Sequence, residues 1–233
     1  IAADYDGWID LFGWGTGDAP TKSSTSNSDY STFVDWGTNQ IGADAPNTWR
    51  TLSSEEWNYL LNSRTNASSL KGVAQVNGVN GLIFLPDTWV CPEGITFKSG
   101  FHSSFGVDYY VAYQTFTADQ WSKFESAGAV FLPAAGYRCG SDMRDVRCGG
   151  NYWSATEGYS YNAYYLFFFS NAVRMGNDDR YDGQAVRLAK TCVPTFQVLA
   201  TPSDLAHGTV AGSGVFKMGE QTTLKATANE GYK

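Results

Sequence analysis

The apolar positions change their period along the chain, and each change marks an element. After Thr51, the residues Trp57, Leu60 and Leu61 fall on one face of a helix. Ser53 and Glu56 have the spacing of a capping box at its start. Over residues 72–86 the period shortens. Val73, Ala74, Val76 and Val79, followed by Leu82-Ile-Phe-Leu, read as two strands that turn at Asn77-Gly78, a dipeptide suited to a tight hairpin. A second helix is expected from Thr117, capped with Gln120 and turning Trp121 and Phe124 inward. Residues 130–133 read as a strand, and further strands are expected near 151–154, 162–169 and 185–189. The polar stretch 171–183 reads as turns, with a short strand at 172–175. Residues 1–50 show no period. They are rich in Gly, Ser, Thr and Asn, with Trp8, Trp14, Trp36 and Trp49 as anchors that pack loops onto a core.

Pro194 marks a boundary. Beyond it, Phe196-Gln-Val-Leu-Ala and Thr222-Thr-Leu-Lys-Ala-Thr alternate around Gly208, Gly212 and Gly214. The reading is therefore a larger domain over 1–193 and a small β-rich module over 194–233, expected to be the start of a longer one.

Composition narrows the classes. With 42% hydrophobic and 15% aromatic residues, the chain has enough apolar surface to fold. Its 25 glycines point to short strands and tight turns more than to a helical bundle. A net charge of −7 with no basic stripe argues against nucleic acid and against an anionic membrane surface. No apolar run reaches the length of a membrane-spanning helix; the longest, 163–169, is strand-sized. There is no Gly-x-Ser-x-Gly elbow, no phosphate-binding glycine loop and no pair of carboxylates nominated by a motif, so the chain is read as a non-enzyme without a cofactor. Two distant histidines and the lack of a Cys-x-x-Cys disfavour zinc. The four cysteines allow three pairings. A local Cys139–Cys148 bridge would pin the polar loop between them, with Cys91–Cys192 as the second pair; reduced thiols are the alternative.

The most informative local pattern is the run of residues 162–169. Strand side chains alternate between faces. If Tyr164, Leu166 and Phe168 face the core, then Tyr165, Phe167 and Phe169 share the outer face, where three aromatics together make a patch suited to binding. Arg174, Asn177, Asp178, Asp179, Arg180 and Tyr181 would give it a polar rim. The alternative is that loops cover the outer aromatics. Asn177, Asp178, Asp179 and Asp182 also offer oxygens to a calcium ion, although such clusters are more often solvated turns.

The sequence Asn151-Tyr-Trp-Ser-Ala-Thr-Glu, then Ala163-Tyr-Tyr-Leu-Phe-Phe, then Gly183-Gln-Ala-Val-Arg-Leu resembles the Fibrobacter succinogenes major paralogous domain family. Asp10-Leu-Phe-Gly-Trp-Gly-Thr-Gly, Trp49-Arg-Thr-Leu-Ser-Ser-Glu-Glu-Trp-Asn-Tyr-Leu-Leu and Leu85-Pro-Asp-Thr-Trp fit the same group, so the resemblance spans about residues 5–190. The tail is similar to a bacterial glycine-rich surface repeat, through Gly219-Glu-x-Thr-x-Leu-x-Ala and Asn229-Glu-Gly-Tyr. The resemblance implies an α+β, C-type-lectin-like domain with two helices and short antiparallel strands, followed by a partial small all-β module. It implies a bacterial outer-membrane surface or secreted location, a lipid anchor upstream, and an adhesin- or receptor-like role. The partner would be a protein or glycan on another cell, a host or a phage. Family members carry a further strand ahead of the equivalent of residue 1; without it, 185–189 would present an open edge unless the chain closes differently.

Some members of this wider group are diversified by retroelements that mutate adenines, so that AAC codons become Tyr, Ser, Asp, Gly, Arg or Phe but never Trp, Met, Gln, Glu or Lys. Tyr159, Tyr161, Asn162, Tyr165, Phe167, Phe169, Asn171, Arg174, Asn177, Asp178, Asp179, Tyr181 and Asp182 all fall in the reachable set and form the candidate ligand-binding residues. Trp153, Ala163, Tyr164, Leu166, Phe168, Val173, Val186 and Arg187 interleave with them as scaffold. The Glu-Pro-Asn and Gln-Pro-Asp motifs of calcium-dependent sugar binding are missing, which leaves calcium as a minor alternative. A structural role in a surface assembly, with no ligand of its own, is the other alternative.

Overall fold

The structure is a computed structural model that describes residue 12 and residues 33–102, 113–159, 161–191 and 195–232. Trp8, Trp14 and Cys192 lie outside the described residues. The chain divides into two compact units, residues 1–190 and residues 191–233.

In the first unit, chain order gives β1 (Trp49–Thr51), α1 (Ser54–Asn58) continuing into a π turn (Tyr59–Ser63), β2 (Lys71–Val76), β3 (Val79–Phe84), β4 (Thr115–Phe116), α2 (Ala118–Ser126) and β5 (Val130–Pro133). Then come β6 (Tyr137–Cys139), β7 (Asp142–Arg144), β8 (Gly150–Glu157), β9 (Asn162–Phe169), β10 (Ala172–Asp179), β11 (Gly183–Gln184) and β12 (Leu188–Lys190). Both helices begin at complete capping boxes, Ser53 with Glu56 and Thr117 with Gln120. The β2–β3 hairpin turns at Asn77 and Gly78, both at positive φ, as a type I′ turn requires.

A four-stranded sheet of order β4-β2-β3-β5 forms the centre. Its two faces are both covered. Val73, Leu82, Phe84 and Leu132 join Trp57 and Leu61 of the first helix and Tyr152, Leu166 and Phe168 of the β8–β9 hairpin in one core. Ala74, Ile83 and Leu85 join Phe116 and Phe124 in the other, beneath α2. Gly81 lets β3 and β5 close up, since a Cβ there would stand 2.4 Å from the Leu132 carbonyl oxygen. Two buried cations finish the segment after the π turn. Arg64 donates to the carbonyls of Leu60, Leu70 and Leu85, and Lys71 Nζ to those of Leu61 and Ala67. Burial, and then the neighbouring Arg64, lowers the Lys71 pKa. Asp35 ties the preceding chain to β1 by accepting from both Gly37 N and Thr51 N.

These elements correct the fold class. Strand takes up 41% and helix only 12%, and among the described residues the strands form six small sheets with no closed barrel. The α+β, lectin-like layout with two helices is therefore not the architecture; the chain is mostly β. The physical reason is that the helices are short, while runs such as Lys71–Val76 bury both faces and carry most of the core as strand. The stretch 171–183 is likewise not mainly turns, because β10 pairs with β9 over eight residues. The segment 185–189 is not left as an open edge throughout: Ala185 bridges Tyr152 of β8, and Leu188 and Ala189 pair antiparallel with Thr51 and Arg50 of β1.

In the second unit β13 (Thr195–Val198) pairs with β15 (Gly214–Lys217), and β14 (Gly208–Ala211) with β16 (Lys225–Ala228). None of its described residues is buried, so these two ribbons lack a dry core of their own among the described residues.

Candidate ligand-binding face

The β10-β9-β8 sheet has one covered and one displayed face, and the register assigns each side chain to one of them. On the inner face, Tyr152 of β8 lies opposite Leu166, and Phe168 opposite Val173. On the outer face, Asn151 lies opposite Phe167 and Trp153 opposite Tyr165. Across β10 the same face carries Arg174 opposite Phe167, Gly176 opposite Tyr165 and Asp178 opposite Ala163.

The outer aromatics form a continuous ladder. Tyr165 stacks on Phe167 at 5.5 Å between ring centroids, and Phe169 meets Phe167 edge-on at 6.2 Å. The ladder continues through Trp153, 5.9 Å from Tyr165, to Phe12, 5.4 Å from Trp153, and Phe33. Phe12, Trp153 and Ala163 are buried there, so one end of the face is closed. At the other end Phe167 and Phe169 are half-exposed, and the Arg174 guanidinium sits 4.6 Å from the Phe167 ring centre. Gly176 makes room for this: a Cβ there would lie 3.0 Å from the Tyr165 ring and 3.2 Å from Phe167.

The polar residues separate into three groups. Asn177 and Asp179 lie opposite Tyr164 and Asn162, on the other face from the ladder. Tyr159 and Tyr161 stand 81% and 62% exposed at the β8–β9 turn, clear of the ladder, while Asn171 sits in the β9–β10 turn at the Phe169 end. Asp178 and Asp182 come together beside Tyr165. Burial, then the Asp178 charge, pushes the Asp182 carboxyl up to about 7. Asp182 is buried and its Oδ1 has no hydrogen-bond partner, while its backbone oxygen accepts from the Trp153 indole. A hydrogen bond to Asp179 raises the Tyr181 phenol to about 12, and burial does the same for Tyr165.

Cys139 and Cys148 are separate thiols, which corrects the expected bridge between them. The loop is already closed by backbone pairing: β6 and β7 make a hairpin in which Cys139 lies opposite Asp142, and Cys148 N donates to the Asp145 carbonyl. The Cys139 thiol instead meets the Asp182 carboxyl, and burial followed by that contact raises its pKa. The Cys91–Cys192 pairing falls outside the described residues; Cys91 itself is exposed.

The sequence reading missed the partners that β6 and β11 bring to this end. The Tyr137 phenol hydrogen-bonds Arg144 and feels the Asp178 charge. Gln184, paired opposite Tyr137, is buried with neither of its amide atoms hydrogen-bonded, and the Asn151 amide nitrogen is also unpartnered. The alternation Tyr137, Cys139 across a Gly140-Ser141 turn was the available signal. Among the described residues no three His, Cys, Asp or Glu side chains converge as a metal site requires. No helix of the described residues is long and apolar enough to cross a membrane.

No protein-family model matches the chain, and comparison with curated proteins and with solved structures found no match.

Proposed function

We propose that this chain is an extracytoplasmic ligand-binding protein, adhesin- or receptor-like, whose contact surface is the outer face of the β8–β10 sheet. The observation that carries the reading is the ladder of Tyr165, Phe167 and Phe169, closed at one end and left half-exposed at the other under Arg174. Rigid aromatics with a guanidinium beside them give contact area at low entropic cost, which suits a protein or glycan surface.

Burial along the segment supports a displayed, variable surface on a fixed scaffold. Trp153, Ala163, Leu166 and Phe168 are buried, while Tyr159, Tyr161, Phe167, Phe169 and Arg174 are exposed or half-exposed. Asp182 and Arg187 are the exceptions, the first buried and the second exposed. The resemblance of its motifs to those of exported bacterial surface proteins supports the location.

Panels of immobilised glycans and bacterial surface proteins, probed with the full chain and with the Phe167→Ala/Phe169→Ala variant, test the reading. The expected result is a hit that the variant loses by tenfold or more at unchanged near-ultraviolet circular dichroism. A hit that survives the double variant moves the site off this face. No hit across both panels favours a structural component of a surface assembly.

A further inference from the structure

A second feature of the first unit lies away from this face. Between α1, the sheet strands β3 and β5, and the β1–β12 pair is an apolar cleft of about 370 Å³. That volume is within the range of about 300–1,000 Å³ typical of small-molecule sites. Its apolar wall is Trp57, Leu60, Phe84 and Leu132, and its β12 side carries Arg187 and Lys190.

The charges along the cleft are of one sign. No acidic side chain lines it among the described residues. Arg64 also borders it, but its guanidinium is committed to three backbone carbonyls and Asp87. Lys190 is held 3.1 Å from Asp44. Arg187 is exposed and has no ion-pair partner among the described residues. One further observation favours an occupant. Leu60 belongs to the π turn that widens the first helix, a geometry concentrated at functional sites.

We infer that this cleft binds a small amphipathic monocarboxylate, its apolar body against Trp57, Leu60, Phe84 and Leu132 and its carboxylate at Arg187. The apolar wall selects for hydrocarbon, and the unpaired guanidinium at one side selects the sign of the head group. The site is independent of the aromatic ladder and stands or falls separately from it.

The test is calorimetry on the full chain with hexanoate, octanoate and decanoate, and with octanol and octylamine as controls. Affinity is expected to rise about threefold to fourfold per added methylene until the cleft is full. Octanoate should bind about tenfold better than octanol, and octylamine worse than either. Arg187→Gln, a change at an exposed side chain, should bring octanoate down to the level of octanol. Leu60→Trp should abolish binding of both by filling the cleft, with near-ultraviolet circular dichroism confirming the fold. Octanoate and Arg187→Gln titrate without ambiguity even where Leu60→Trp fails to fold. The proposal is overturned by no heat from octanoate at millimolar concentration, or by octanol binding as well as octanoate with Arg187→Gln silent. The Phe167→Ala/Phe169→Ala variant should leave octanoate binding unchanged; a loss there would also overturn it.

Discussion

Two hairpins of similar strand chemistry meet different fates in this molecule. In β2–β3, consecutive residues are buried on both faces: Val73 and Ala74 are each 0% exposed, one beneath the first helix and the other beneath α2. In β9–β10 only one face is covered. Leu166 and Phe168 are 0% exposed, while Phe167 and Phe169 between and after them are half-exposed. An aromatic row that could have been covered by a helix is covered only at the Phe12 end. The contrast teaches that the β8–β10 sheet gives up some burial on its outer face, and that the surface so exposed is arranged rather than scattered, with rings in register and a cation over one of them.

Adjacent residues of β9 give the largest test of this contrast. Phe168 lies in the main core and Phe169 on the displayed face. Phe168→Ala should cost about 3–5 kcal/mol of unfolding free energy, the range for deleting a fully buried aromatic. Phe169→Ala should cost only about 1 kcal/mol, since its ring is partly in water already. Urea unfolding of both variants decides it. Equal costs would mean that the outer row is a second core, and the binding reading would fail with it.

The parts of the fold that were legible in the sequence are those set by local chemistry. The capping boxes at Ser53 and Thr117 and the Asn77-Gly78 turn act over three or four residues, so their signals survive any tertiary context. The face alternation of residues 162–169 was legible for the same reason, because the period of a strand is fixed by its backbone. The rest depended on pairing across distance. Beyond the short strand expected at 172–175, Gly176-Asn-Asp-Asp reads as a turn in isolation, yet β9 supplies it with a full ladder and continues the strand. The Cys139–Cys148 loop reads as one needing a covalent pin, but the β6–β7 ladder already closes it. Motif order suggested a lectin-like balance of helix and strand, whereas the balance here follows from how many strands bury two faces. The Asp178–Asp182 contact spans only the turn after β10, and Tyr137 meets Arg144 within the β6–β7 hairpin, so both pairs were near each other in the sequence; the burial that shifts Asp182 and Tyr137 comes from packing that has no local signature.

That polar end sharpens the comparison through pH. The central sheet holds its buried cations on carbonyls, whereas the displayed sheet buries a carboxyl beside another acid. Asp182 is pushed up to about 7, from near 3.9 in an unfolded chain. The fold thus favours the protonated form. The stability it contributes is fully present below about pH 4 and is lost as pH rises through about 7. Asp182→Asn should therefore flatten the stability profile between pH 4 and 7 and gain about 1–3 kcal/mol at pH 8. Urea midpoints at pH 4.5, 6 and 8 measure it. A variant less stable than the parent at pH 8 would mean that the ionised carboxylate is an active partner in the fold.

The smallest effect separates contact from coincidence on the displayed face. Arg174 has no burial to lose, so its place over Phe167 is held by the attraction between guanidinium and ring and by the strand pairing beneath. A double-mutant cycle with Arg174→Gln and Phe167→Leu should return a coupling of about 0.5–1 kcal/mol at low salt. The coupling should persist in 0.5 M salt better than that of a surface ion pair would, because part of the contact is the flat guanidinium packing on the ring. A coupling near zero would leave Arg174 free to swing, and the ladder would then present a bare apolar row. A bare row would favour an apolar partner over the polar glycan or protein surface that a fixed guanidinium is placed to meet.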